Sequence, residues 1–125
     1  PDDDVRDLAA EVRGFSRSHL AALDHWRQQF DALQRAGKQA VIWGAGSKGV
    51  AFLTTLGIGD QVGYAVDINP NKHGTFMAGT GHEIVAPEFL REYRPDTVVV
   101  MNPVYQGEIA ATLAALDLSP RLLTV

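Results

Sequence analysis

No cysteine occurs in the 125 residues. That removes disulfide bridges, thiolate-ligated zinc and a thiol nucleophile together. A basic surplus is missing too: Lys and Arg number 11 against 15 Asp and Glu, a formal net charge of -4. Nucleic acid is therefore not expected as a partner, because phosphate backbones are gripped by clustered Lys and Arg. No apolar run approaches the roughly 20 residues that cross a bilayer. The polar start, Pro1-Asp2-Asp3-Asp4, has none of the marks of a signal peptide. No membrane contact and a cytoplasmic location are the expectations. Neither G-x-x-x-x-G-K-[S/T] nor G-x-S-x-G is present, which excludes a P-loop and a nucleophile elbow. No Ser-His-Asp set suggests itself, and no catalytic residue is assigned.

What is present fits one ordinary domain. Hydrophobic residues make up 46% of the chain, normal for a globular protein. A chain of this length buries about two thirds of its unfolded surface without staples. The segment from Asp4 to Ala36 reads as a helix: Leu8, Val12, Phe15, Ala22, Trp26, Phe30 and Leu33 recur at steps of three and four along one stripe. Asp2, Asp3 and Asp4 suit its start, and Gly37 its C-terminal cap; Gly14, Ser16 and Ser18 are where it would bend. Residues 1–37 are thus expected to be a helical arm or connector, and 38–125 the compact unit.

From Lys38 the pattern alternates. Strands are expected at Gln39–Trp43, Val62–Val66, Glu83–Val85, Thr97–Met101 and Arg121–Val125. Helices are expected at Ser47–Leu56, Pro87–Tyr93 and Pro103–Leu116, with a loop rich in Gly, Asn and Pro at Asp67–Gly81. Strand–helix alternation implies parallel pairing through right-handed crossovers, and continuously apolar strands imply a sheet covered on both faces. The fold class is α/β: a small Rossmann-like three-layer domain with a parallel sheet, preceded by a long N-terminal helical arm.

The candidate site begins at Ile42-Trp43-Gly44-Ala45-Gly46-Ser47-Lys48-Gly49, which reads G-x-G-x-x-G between a strand and a helix. Gly44 suits a tight turn, Gly46 leaves room for a phosphate, and Gly49 allows close helix–sheet packing. The free N–H groups of the helix start attract an anion, with Ser47 and Lys48 beside them. Asp67 follows Gly49 by 18 residues at the end of a strand, where such folds place an acid on ribose hydroxyls. Asp67-Ile68-Asn69-Pro70 is also sound turn chemistry. Lys72 and His73 are candidates for a phosphate, and Phe76 for stacking on a base. Asn102 suits an N-cap with Pro103 after it, yet Asn102 and Tyr105 also lie at the carboxyl edge of the sheet. A metal site from His73, His82 and Glu83 is disfavoured by loose spacing and the lack of cysteine; no metal ligand is assigned.

Three stretches together, VIWGAGSKGVAFLTTLGI, VDINPNKHGTFMAGTG and APEFLREYRPDTVVVMNPVYQGEI, resemble the C-terminal domain of the C-methyltransferases that act on nucleotide-linked deoxysugars. The resemblance runs from about Lys38 to Glu108, and the arm fits the family's connector. It implies an N-terminal zinc domain and a middle domain that binds S-adenosylmethionine (SAM), both outside this chain; a start on Pro rather than Met is what an excised domain would have. It further implies a non-catalytic domain with no cofactor of its own. Such a domain helps bind the sugar nucleotide and close the cleft beside an upstream methyltransferase domain. The residues before the glycines, Ile42 and Trp43, include no acid, which speaks against GAGSKG as the SAM site. Two alternatives stand beside this: an NAD(P)-binding fragment of an oxidoreductase, and an interaction module that dimerises through Trp26, Phe30 and Leu33 of the arm.

Overall fold

Four consecutive residues, Ala40–Trp43, form strand β1, and all four are buried. A strand this apolar needs cover on both faces, and the chain supplies it. The computed structural model describes residues 17–125, with side chains from Ala21. Among these, β1 lies at the centre of a five-stranded sheet. Strand β2 (Tyr64–Val66) and β3 (Ile84–Val85) extend it on one side, and β4 (Thr97–Val100) and β5 (Arg121–Thr124) on the other. The order is β3-β2-β1-β4-β5 and every pairing is parallel. Trp43 is in register with both Val66 and Val100, so the three inner strands end level.

Side chains alternate along the strands and so feed two cores. Ala40 and Ile42 join Ala65 and Val99 in a cluster with Phe52, Leu53 and Leu56 of helix α2 (Ser47–Leu56). Val41 and Trp43 face the other way, against Val66, Val98 and Val100. There they meet Leu90 of α3 (Leu90–Tyr93) and Ile109 and Leu113 of α4 (Gln106–Ala115). This is the expected three-layer α/β domain.

Helix α1 (Arg17–Arg35) covers the α2 side. Leu23 and Phe30 are buried in that core, with Trp26 and Leu33 packed against it. The Phe52 ring lies edge-on to Trp26 at 5.5 Å and to Phe30 at 6.0 Å. Burying Phe30 contributes about 1.5–3 kcal/mol. The stripe read from the sequence thus packs on this chain's own sheet, while Ala22 is exposed. Leu8, Val12, Phe15, Gly14 and the acidic start lie outside the described residues. The helix closes with Gly37 N–H donating to Gln34 O (3.1 Å) and Lys38 N–H to Leu33 O (2.9 Å), the paired bonds of a Schellman ending.

Several element bounds differ from expectation for local reasons. The second strand starts at Tyr64, because Val62 N–H closes a turn onto Gly59 O at 3.2 Å. The helices expected at 87–93 and 103–116 each begin as a 3₁₀ turn, Pro87–Phe89 and Pro103–Tyr105, where Pro has no N–H to donate. At the amino edge of the sheet the Asp96 carboxylate accepts from Gln39 N–H at 2.7 Å, joining the approaches to β1 and β4. Tyr64, Phe89 and Tyr93 pack together nearby, with Tyr64 4.7 Å from Phe89 and 4.9 Å from Tyr93. Burial, and then the neighbouring Tyr64 and Asp96, push the Tyr93 phenol above its ordinary range. Among the described residues no helix is long and apolar enough to cross a membrane.

Candidate functional site

The chain runs outward from β1 through β2 to β3, then returns to the other side of β1 for β4 and β5. The connections leaving β1 and β4 therefore diverge, and a crevice opens at their carboxyl ends. It holds a cleft of about 430 Å³.

The glycine turn forms one wall. Gly44 has φ +121, and a β-carbon there would press on Met101 at 3.1 Å. A β-carbon on Gly49 would fall on the Gly44 carbonyl oxygen. The fold itself therefore demands glycine at both positions. Gly46 is different: its φ of -83 suits any residue, and a β-carbon there would meet nothing within 4 Å. Gly46 is also the N-cap of α2, and no side chain caps that helix start. The unpaired N–H groups and the positive end of the helix dipole thus face open space, with Lys48 lining the cleft beside them.

Asp67 ties β2 to this turn. Its Oδ2 accepts from Ala45 N–H at 3.1 Å and its Oδ1 from Asn69 N–H at 2.9 Å. Lys72 Nζ stands 3.8 Å from Oδ2. Both carboxylate oxygens are engaged, which is the turn chemistry read from the sequence, and Asp67 still lines the cleft. The 67–81 loop is pinned from behind: His73 Nε2 donates to the Asp67 carbonyl at 2.6 Å. A carbonyl can only accept, so His73 Nε2 carries a proton.

The opposite wall belongs to the chain leaving β4. Asn102 Oδ1 accepts from Val104 N–H at 3.1 Å, capping the 3₁₀ turn as its position suggested. Tyr105, Glu108 and Thr112 follow on one face of the helical stretch, and Trp43, Met101 and Ile109 give the cleft an apolar floor. The Thr112 hydroxyl donates back to Glu108 O at 3.0 Å. Ile68 and Tyr105, which line the cleft, and Val104, next to Tyr105 in the chain, are 74%, 51% and 81% exposed, high for large apolar side chains.

Of the residues expected at the site, Gly44, Gly46, Lys48 and Gly49 come together with Asp67, Asn102 and Tyr105 around this cleft. Ser47 lies in the turn without lining it. Lys72 and His73 lie behind Asp67, and Phe76 is exposed at a separate depression near Tyr64 and His82. Sequence reasoning missed Trp43, Met101 and Glu108. Glu108 and Thr112 follow Tyr105 at helical spacing and could have been found by extending that face. His82 Nε2 donates to Gly59 O at 2.9 Å, leaving its buried Nδ1 without a partner. His73 and His82 thus serve different backbone carbonyls, and among the described residues no group of three His, Asp or Glu side chains could hold a metal ion.

Comparison with known proteins adds three findings. The model of the C-methyltransferase C-terminal domain family matches residues 5–119. Curated protein sequences give no match. Among solved structures, UDP-D-quinovosamine 4-dehydrogenase from Vibrio fischeri superposes with a TM-score of 0.54 at 28% identity, over 70% of this chain and 77% of that one. RSP, a Rex-family repressor, superposes with a TM-score of 0.52 at 17% identity, over 94% of this chain and 73% of its own. The same repressor, in complex with NAD+ and operator DNA, gives 0.50 at 18% identity, over 96% and 73%. At that identity the repressor shares the fold alone.

Proposed function

The chain belongs to the family of C-methyltransferase C-terminal domains, and from that premise we propose that its cleft binds the nucleotide-linked deoxysugar on which such an enzyme acts. The observation that carries this reading is the α2 start, left uncapped beside Gly46 and Lys48 at the head of a cleft with an apolar floor. A diphosphate seated there receives the free N–H groups of the α2 start, the helix dipole and the Lys48 ammonium. The apolar floor takes the flat or deoxygenated parts of the ligand and excludes water. Asp67 holds the turn in shape through Ala45. The name of the Vibrio dehydrogenase, which carries a UDP sugar, agrees with this ligand class.

In this reading the domain performs no chemistry itself. SAM and zinc belong to other domains of the same cytoplasmic protein, and Ile42 and Trp43 supply no acid for a SAM turn. The exposed Ile68, Val104 and Tyr105 then form a rim on which the upstream methyltransferase domain closes, sealing sugar and methyl donor in one space.

The test is calorimetric titration with UDP, dTDP and NADH, on this chain and on Gly46→Ala. Binding of a nucleoside diphosphate is expected, with affinity at least tenfold weaker in the variant. Gly46→Ala should fold as well as the parent, since nothing in the chain occupies that space. Micromolar NADH binding with no response to UDP or dTDP would overturn the reading in favour of a nicotinamide site.

A further inference from the structure

The charged groups of the cleft are unequal. Both oxygens of Asp67 are engaged by the chain, by Ala45 N–H and Asn69 N–H, and Lys72 partly offsets its charge. Lys48, on the α2 wall, and Glu108, in the first turn of α4, both line the cleft, and neither side chain has a partner among the described residues. The ligand therefore meets an unpaired cation and a helix start on one wall and an unpaired carboxylate on the other. A diphosphate placed against Glu108 would be repelled; placed against Lys48 it is attracted. That favours phosphates on α2 and a non-phosphate part of the ligand toward α4, which we take as the sugar.

Resting on the nucleotide-sugar reading of this cleft, we propose that Glu108 is a specificity-determining residue that accepts hydrogen bonds from the sugar and rejects acidic sugars. A carboxylate is an acceptor only. It takes a hydroxyl or, more strongly, an ammonium group, and it opposes a sugar bearing its own carboxylate. The substrate class is thus a nucleoside diphosphate linked to a neutral or amino sugar and not to a uronic acid. Thr112 does not offset this, because its hydroxyl donates to the helix backbone.

The experiment compares the glucose, glucosamine and glucuronate conjugates of whichever nucleoside diphosphate binds, on the parent and on Glu108→Gln, with the bare diphosphate as reference. The parent is expected to bind the glucuronate conjugate at least tenfold more weakly than the glucose conjugate. Glu108→Gln should narrow that gap to about twofold, each affinity being taken relative to that of the bare diphosphate on the same protein. A glucosamine conjugate that binds more tightly than glucose in the parent alone identifies an amine as the group read; equal binding identifies hydroxyls. If the diphosphate binds but glucuronate and glucose conjugates bind alike, or if the variant preserves the gap, Glu108 does not select the sugar. If no nucleoside diphosphate binds at all, the reading of the cleft fails and this assignment falls with it.

Discussion

Two helix starts meet at the carboxyl edge of this sheet, and the chain treats them differently. The start after β4 is closed by the chain itself, with the Asn102 side chain on Val104 N–H and Pro103 removing a donor. The start after β1 is left open, with glycine as N-cap and no side-chain acceptor. Asn102 is worth about 1 kcal/mol over alanine at its start, whereas a capping side chain in place of Gly46 would add only a few tenths of a kcal/mol. Leaving one bare, beside a cleft and a lysine, is what the proposed ligand site calls for. The glycines of the open start divide along the same line: Gly44 and Gly49 answer to backbone and packing, Gly46 to nothing in the chain.

That contrast can be broken at several points. The largest effect is expected from Gly49→Ala, which drives a methyl group into the Gly44 carbonyl, where neither atom is the end of a flexible side chain. Overpacking of this kind costs about 3 kcal/mol. Urea denaturation should report it, and a change under about 0.5 kcal/mol would mean that the turn is not packed as described. Asp67→Ala comes next. It leaves the part-buried Ala45 N–H unpaired and passes the exposed Asn69 N–H to water, at a cost of about 1 kcal/mol. Amide exchange should quicken at Ala45 but not at the start of β1, where Asp96 holds Gln39. Equal protection at Ala45 in parent and variant would rule out Asp67 as the tie. Asn102→Ala should cost about 1 kcal/mol by chemical denaturation, which closes the ordering at the capped start. At the open start, Gly46→Ala should lie within about 0.5 kcal/mol of the parent. The loss of a preferred N-cap residue there opposes the gain from a less flexible unfolded chain.

Much of the frame is legible in the sequence. The apolar run into Gly44 marked β1, and the stretch from Ser47 to Leu56, followed by Gly57, gave the bounds of α2. Short-range chemistry, such as capping by Asn102 and the Asp67–Asn69 turn, was readable because it acts within two residues. The strand order was not readable, since the pairing of β1 with β4 joins residues about 57 apart by packing that no local pattern encodes. The stripe on α1 announced that a face is buried, not that Phe52 would receive it. His73 was read as reaching for a phosphate, whereas its ring faces the Asp67 carbonyl; the direction of a loop side chain depends on where the whole loop is folded back. Glu108 escaped because α4 is rich in alanine, at Ala110, Ala111, Ala114 and Ala115, so its two faces differ little in the sequence.

Gly46 carries one further consequence, an evolutionary one. Folding places little selection on this residue beyond a modest N-cap preference, because other side chains fit its backbone and the space beside it is vacant. In a lineage that no longer fills the cleft, position 46 is free to drift while 44 and 49 stay glycine. On the proposed reading of the cleft, the middle glycine is a record of occupancy: its persistence would follow from a ligand seated against the turn.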